Sequence, residues 1–409
     1  MGEGTIAYDD VVAALARLDA ANGLGAVVAR DDAAALAAAR AMDARSPDGA
    51  TPPTHQTVAT VKDWIDVAGL PCEGESGERT HRMPERDATV VARLRAAGVI
   101  VVAKTQPGAD HPIHGRCVHP ADPLRTPGAS SSGEAALIGA GASSLGLGSD
   151  SGGSIRLPSA WCGVAGLKPS FGLVPNTGHF PRVGGRNDGR TVIGPMAPRV
   201  ADLMSPLRSI AGPDGADPDC VPVPIGDPAS VQATGLRVAV VDESSWQPVR
   251  STQAAVERAI ATLTRLGASV DGPLGPLLDE SLDITHRYWD RASLTGAECD
   301  RQLRDWDRFS GRLTRASMEF DVVIGPVVMD VAPLHRTLTR EDYVFTLPWS
   351  LTGWPAVSVP AGVDDATGLP VAVQVAAPRW HDHVVLAVAE WIEVAPANRR
   401  RARDEAPSS

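Results

Sequence analysis

Lysine is almost missing. Of the 38 basic residues only Lys62, Lys104 and Lys168 are lysines, and all the others are arginines. Arginine stays protonated at any working pH, whereas a desolvated lysine can lose its proton and act as a base. Each surviving lysine is therefore a candidate for chemistry that arginine cannot perform. Aromatic residues make up 4% of the chain, too few to build stacking platforms for single-stranded nucleic acid. Positive charge is in deficit, with a net charge of −11, which argues against nucleic acid or an anionic membrane as the main partner. No stretch approaches the roughly 20 apolar residues of a membrane span. The first ten residues have neither a basic flank nor an apolar core, so no secretion leader is expected there. Cysteine is scarce and unpatterned: Cys72, Cys117, Cys162, Cys220 and Cys299 are odd in number, widely spaced and without a Cys-x-x-Cys. That usage predicts reduced thiols in a cytoplasmic protein.

What is present suffices for a large core. The 409 residues are 43% hydrophobic and 21% charged, which excludes wholesale disorder. The length allows two or three domains or one large α/β domain. No internal repeat and no linker of domain-boundary character is visible, so one domain over residues 1–409 is expected. Residues 8–20 and 31–45 read as Ala-rich helices, in an N-terminal helical segment (residues 1–55) packed on the rest. Residues 46–55 read as loop. Residues 57–61 alternate like a strand that ends at Lys62. An amphipathic helix over 87–97, Gly98, and a buried strand over 99–103 ending at Lys104 give an α/β rhythm. Further helices are predicted at 134–142, 199–211, 252–266 and 382–393, and strands at 236–241, 321–324, 356–360 and 370–376. Residues 212–235 read as a surface excursion, and the Arg-rich tail at 398–409 as solvated.

Two Gly/Ser loops flank the helix of small residues: Thr126-Pro-Gly-Ala-Ser-Ser-Ser-Gly-Glu134 and Gly148-Ser-Asp-Ser-Gly-Gly-Ser-Ile-Arg156. Such loops let backbone N–H groups converge, because glycine has no Cβ to block approach. Neither loop carries the lysine of a phosphate-binding Walker loop. Gly146-Leu-Gly148-Ser-Asp-Ser-Gly152 is one residue too long for a dinucleotide fingerprint. Gly-x-Ser-x-Gly fails at both loops. Ser-x-x-Lys fails too, because Ala59, Val101 and Ala165 stand three residues before the lysines. None of the ten histidines lies in these loops.

The remaining reading uses lysine, and here the chain resembles the amidase signature family over nearly its whole length. Val61-Lys-Asp-Trp-Ile-Asp-Val-Ala-Gly-Leu-Pro71 resembles the family's lysine segment, and Pro127-Gly-Ala-Ser-Ser-Ser-Gly-Glu134 its serine loop. Leu147-Gly-Ser-Asp-Ser-Gly-Gly-Ser-Ile-Arg-Leu-Pro-Ser-Ala-Trp-Cys-Gly-Val-Ala-Gly-Leu-Lys-Pro169 resembles its core signature. Weaker matches lie at 193–197 and 354–362. The resemblance implies an α/β fold with a mixed central sheet covered by helices, and a Ser–Ser–Lys triad without cofactor or metal. By position the nucleophile is Ser154. The bridging serine is Ser130, held on a cis peptide bond in the family, and the base is Lys62. The backbone N–H groups of Ser151, Gly152, Gly153 and Ser154 would form the oxyanion hole. Ser131 would support the first loop, and Asp150 with Arg156 would form an ion pair bracing the second. Lys104 and Lys168 would be structural. Ala129 and Ser132 stand where the family has glycine, and the stretch 270–320 is short for it.

A serine hydroxyl is a poor nucleophile until a base takes its proton, and lysine can be that base once burial lowers its pKa from about 10.4. The expected activity is hydrolysis of a linear amide of a small molecule through an acyl-serine. Ester or carbamate hydrolysis by the same triad is one alternative. A protein of amidotransferase type that works with partner proteins is the other, although residues 171–193 lack the Ser-Leu-Asp-type segment of that subgroup. No nucleic acid or membrane partner is expected, and a homodimer is allowed. His111, His114, Cys117 and His119 offer metal-ligand chemistry, but the resemblance places them in an irregular loop without metal. Trp161, the loop 176–188 with His179, Phe180 and Arg182, and Trp349 or Trp354 are candidate pocket elements, with core packing as the alternative for each.

Overall fold

Val-Ala-Thr-Val-Lys forms the strand Val58–Lys62, buried along its whole length. Its parallel neighbours are Ile100–Thr105 and Gly146–Asp150. Parallel strands are covered on both faces, so they read as near-continuous apolar runs and not as alternation. The computed structural model describes residues 6–45, 58–74, 79–181, 188–241, 245–274 and 277–393.

Eleven strands make one mixed sheet. Their spatial order is Val27–Ala29, Ile100–Thr105, Val58–Lys62, Gly146–Asp150, Val192–Ala197, Ala165–Lys168, Ala356–Val363, Pro370–Ala376, Val322–Pro326, Arg237–Val241 and Ser269–Leu274. Strands from the first half of the chain thus occupy one side and those from the second half the other. The halves join where Ala165–Lys168 pairs antiparallel with Ala356–Val363. Helices Ile6–Ala20 and Asp32–Arg45 bury Val11, Ala14, Leu18, Ala35 and Ala39 against Ile100 and Val102. Elsewhere Val, Leu and Ile of the sheet pack under helices Arg250–Arg265 and Asp382–Glu393. This is the expected single α/β domain with a mixed sheet covered by helices.

Several boundaries differ from expectation. The helix expected from 134 starts earlier, as Ser132–Gly139. The helix expected over 199–211 is a 3-10 turn, Val200–Asp202, followed by Met204–Ile210. Pro206 fits only a first turn, where its missing N–H costs no bond, and so fixes where that helix begins. Residues 46–57 and the tail 398–409 lie outside the described residues. Among the described residues no helix is long and apolar enough to cross a membrane, and all five cysteines are free thiols.

Buried polar groups staple the strands and loops together. Glu134, fully buried in the first turn of Ser132–Gly139, accepts hydrogen bonds from Thr60 Oγ1 at 2.5 Å and Thr105 Oγ1 at 2.7 Å. It thereby ties the serine loop to the two lysine-bearing strands. Burial pushes its carboxyl up to about 7, against the pull of those two hydroxyls and of Lys62 and Lys104. A second staple joins the halves. Arg156 Nε and Nη2 grip Asp150 at 3.0 and 2.9 Å, both residues fully buried. The same guanidinium donates to Thr346 O (2.9 Å), Gln374 Oε1 (3.1 Å) and Ser350 Oγ (2.8 Å). Burial works against the Asp150 charge, but the Arg156 guanidinium outweighs it and holds the carboxyl below its usual range.

Two outcomes follow for stability. Arg156→Met leaves Asp150 buried without its counter-charge and should lower unfolding free energy in urea by about 3–5 kcal/mol. For Glu134, the native state keeps a proton that an unfolded Glu, titrating near about 4.3, has already lost. Between that value and about 7 the folded protein binds more protons, so stability falls as pH rises. Urea midpoints of Glu134→Gln should lack this part of the decline, so the gap between the variant and wild-type curves widens from pH 4.5 to 7.

Candidate active site

Lys62 ends its strand with its side chain fully buried. Its Nζ donates to Ser130 Oγ at 2.7 Å and to Ser149 Oγ at 3.0 Å. It also lies 4.0 Å from the centroid of the Trp64 ring. The nitrogen that the sequence nominated as base is thus held by hydroxyls against an aromatic face. The other two lysines are occupied structurally, as expected. Lys104 pairs with the buried Asp63 at 2.9 Å. Lys168 donates to Pro169 O at 3.0 Å, and burial, helped by the nearby Arg156 charge, brings it down to about 7.

Ser130 stands half-buried just before the helix Ser132–Gly139. Ser131 pins this turn to the strand Gly146–Asp150: its Oγ accepts from Ser149 N and donates to Ser149 O, both at 3.3 Å. Ser132 Oγ donates to Ala129 O at 2.6 Å, and the Ala129 methyl packs with Leu157, Ala160 and Trp161. The cis bond expected at Ser130 is not found. The cis peptide bond among the described residues is Phe180–Pro181, and the Ala129–Ser130 link is trans. For a non-proline residue trans is the lower-energy form by about 3–4 kcal/mol, and the Ser130–Lys62 bond forms with it.

The second loop leads from the strand Gly146–Asp150 into the helix Arg156–Cys162. Gly153 has φ +144°, and a Cβ there would meet Leu157 Cδ1 and Thr346 Oγ1 at 2.5 Å, so only glycine fits. Thr346 Oγ1 donates to Gly152 O at 2.5 Å, holding the loop from the second half of the chain. The amides of Ser151, Gly152, Gly153 and Ser154 donate to no other described residue. They are available to an oxyanion. Ser154 is half-buried, and no hydrogen bond joins it to Ser130. The two hydroxyls instead face one cavity. Asp150, paired with Arg156, also accepts at Oδ2 from the amide of Ile155 at 3.2 Å.

That cavity measures about 420 Å³. Ser130, Ser149, Ser151, Gly152 and Ser154 form its floor. Trp64, which lies against Lys62, lines it with His179 and Pro181; Trp289 and Tyr343, in edge contact with each other, line it with Leu338, Arg340 and Asp188. Trp289 leans on the second loop, its Cζ2 at 3.2 Å from where a Gly152 Cβ would stand. Arg340 is tied to Asp290 at 2.6 and 2.7 Å.

His179 Nδ1 lies 3.0 Å from Pro181 O. A carbonyl only accepts, so Nδ1 carries the proton and Nε2 keeps a lone pair. Burial holds this imidazole down to about 4, so it is neutral at neutral pH. Its Nε2 is buried without a hydrogen-bond partner among the described residues, as is Trp64 Nε1.

Of the nominated pocket elements, only the 176–188 loop lines the cavity. Trp161 is in the core, with its Nε1 donating to Asp330 O at 3.0 Å. Trp349 and Trp354 stack on each other at 5.8 Å, also in the core. Phe180 lies under the Arg79 guanidinium, and Arg182 is outside the described residues. Trp64, Trp289, Leu338, Arg340 and Tyr343 were not anticipated. The Tyr-Trp pair at 288–289 was the available signal, since two aromatics are conspicuous in an aromatic-poor chain. The four metal-type residues do not converge. His111 donates to Gly74 O at 2.6 Å, His119 hydrogen-bonds Trp161 O at 2.8 Å, and Cys117 is in the core. His114 faces Glu73 at 3.3 Å. No group of three or more His, Cys, Asp or Glu side chains able to hold a metal occurs among the described residues.

Comparison with known proteins accords with this geometry. The family model described as Amidase matches residues 9–303 and 284–386. A glutamyl-tRNA(Gln) amidotransferase subunit of Anaeromyxobacter sp. (strain K) is 32% identical, over 89% of this chain and 88% of that protein. An acylamidase of Rhodococcus erythropolis is 30% identical, over 85% of this chain and 84% of its own length. Among solved structures, a chain from a vestigial protein complex linked to the evolutionary origins of an s-triazine catabolic enzyme superposes with TM-score 0.86. It is 26% identical and covers 95% of this chain and 94% of that one. A bacterial aryl acylamidase of the amidase signature family, 20% identical, shares the fold at TM-score 0.84, over 98% of this chain and 96% of its own. With the family's match running through nearly the whole sequence and its fold reproduced, this chain belongs to the amidase signature family.

Proposed function

We propose that this protein is an amidase that hydrolyses a linear carbon–nitrogen bond of a small molecule through an acyl-Ser154 intermediate. The observation that carries the reading is the Lys62 Nζ–Ser130 Oγ bond of 2.7 Å on the floor of the cavity that Ser154 also lines. In the reacting state Ser154 gives its proton to Ser130 as Ser130 gives its own to unprotonated Lys62. The Ser154 oxygen adds to the carbonyl carbon, and the amides of residues 151–154 hold the oxyanion. Each such donor is worth about 3–4 kcal/mol of barrier. The proton returns through Ser130 to the leaving nitrogen, the C–N bond breaks, and water, deprotonated by the same relay, frees the acid. A cavity of about 420 Å³ suits a small substrate. Esters and carbamates present the same carbonyl to the same groups. The free cysteines support a cytoplasmic location.

The amidotransferase relatives favour a second reading, in which the same acyl-enzyme releases ammonia to a partner protein. Glutaminase activity that rises on adding such a partner would favour it over the first.

Ser154→Ala should lower kcat by about 10⁴–10⁶-fold on whichever aryl, fatty or amino-acid amide the wild type turns over best. A serine-directed phosphonate should add its mass to the peptide carrying Ser154; mass on another serine overturns the assignment. Lys62→Ala should lose most of the rate and also the acidic limb of the kcat/KM–pH profile. An unchanged limb removes Lys62 as the base.

A further inference from the structure

Buried Asp63 has Lys104 as its counter-ion and buried Asp150 has Arg156, but Glu134, equally buried, forms no ion pair among the described residues. Its carboxyl takes two hydroxyls instead. Oε2 accepts from Thr60 Oγ1 at 2.5 Å and Oε1 from Thr105 Oγ1 at 2.7 Å. Those contacts fix where a charge on Glu134 would stand. Thr60 and Lys62 are two residues apart on one strand, so their side chains leave the same face of the sheet. Thr105 is the register partner of Lys62 on the neighbouring parallel strand and shares that face. The carboxyl is thus held on the face of Lys62, between the lysine's neighbour along the strand and its neighbour across it. Lys104 follows the opposite alternation and meets Asp63 on the other face.

The other charged groups around the two are already matched. Strands Val58–Lys62 and Ile100–Thr105 bring Lys62 itself and the Lys104–Asp63 pair. Strand Gly146–Asp150 and helix Arg156–Cys162, both packed on the helix of Glu134, bring the Asp150–Arg156 pair and the Cys162 thiol, which burial keeps protonated. Strand Val192–Ala197, also packed there, carries nothing titratable. His179, near Lys62, is held neutral by burial.

We propose that Glu134, once ionised, is the counter-charge of Lys62 and sets the pH at which that lysine becomes a base. The inference rests on the acyl-Ser154 reading above. Burial alone can lower a lysine by about 3–5 pH units, and a lysine brought so far down takes up a serine proton only weakly. A carboxylate on the same face raises it back toward the working range. The two groups then lose their protons in coupled steps, and the titration of each reports the charge of the other. Burial brings the Glu134 carboxyl up to about 7, so its charge appears near neutrality. Glu134 touches no substrate; it is a positioning residue that acts through Lys62.

Because Lys62, Lys104 and Lys168 are the only lysines, the full chain labelled at lysine ¹³Cε gives three NMR signals, and Lys62→Arg identifies that of Lys62. In Glu134→Gln, which keeps the shape and removes the charge, the Lys62 midpoint should fall by about one pH unit or more. The midpoint of Lys168 should stay within about 0.3 units, and that of Lys104 should move by less than half as much as Lys62. The acidic limb of kcat/KM, on whichever amide the wild type cleaves, should move to lower pH together with Lys62. A Lys62 midpoint that stays or rises, three lysines that move alike, or a limb that stays while Lys62 moves overturns the proposal. Should Glu134→Gln fail to fold, the coupling is read from the other side, since it is reciprocal. In Lys62→Met the ¹³C-labelled carboxyl of Glu134 should titrate about one unit or more higher, and an unmoved carboxyl overturns the proposal. The NMR readout does not depend on turnover. A shifted Lys62 in a protein that takes no phosphonate on Ser154 keeps the counter-charge and rejects the amidase reading; phosphonate on Ser154 with an unmoved Lys62 does the reverse.

Discussion

Lys62 Nζ is buried between the hydroxyls of Ser130 and Ser149, 2.7 and 3.0 Å away. Three distant stretches of chain must meet within a side chain's length for this contact to exist. The parallel register that sets Val61 against Leu147 brings the lysine strand beside the strand of Ser149. Ser131 then clips the bridging-serine turn to that same strand, and Glu134 clips the following helix to Thr60 and Thr105. Each clip is a buried hydrogen bond, costly to leave unmade. The cluster is consequently held in place by the fold itself.

The second loop depends on the second half of the chain in the same way. Arg156 faces Asp150 on one side and Thr346, Ser350 and Gln374 on the other. Gln374 in turn donates to Pro326 O and Phe345 O at 2.9 and 2.8 Å. The amides of residues 151–154 are thus positioned by residues some two hundred places further along. Sheet order explains how: the two sets of strands abut at Ala165–Lys168 and Ala356–Val363, and the helix Arg156–Cys162 that follows the loop packs on both.

Much of the floor was legible because its chemistry is written in short, unusual segments. A lysine closing a buried strand, two Gly/Ser loops and the Asp150–Arg156 spacing each carry their own physical reason. The walls were not legible. Trp64, Trp289, Leu338 and Tyr343 are ordinary apolar residues whose only distinction is where the fold puts them. Some strands hid for local reasons. Ala165–Lys168 is four residues long. Val192–Ala197 contains Gly194 and Pro195 although it is paired on both sides, an arrangement that a rule confining proline to edges would reject. The helix Gly296–Ala316 announced itself through the Thr295–Glu298 capping box, a signal that motif-centred reading passed over.

The cavity's two walls have different origins in the chain. The floor and the lysine-side wall come from residues 62–191, whereas Trp289, Leu338, Arg340 and Tyr343 come from a later segment that supplies none of the proposed triad. A chain built like this can diversify piecemeal. Substitutions in the later segment reshape what is admitted while the bond-breaking apparatus stays intact. Descendants of one ancestral enzyme could therefore adopt new diets without relearning how to cut.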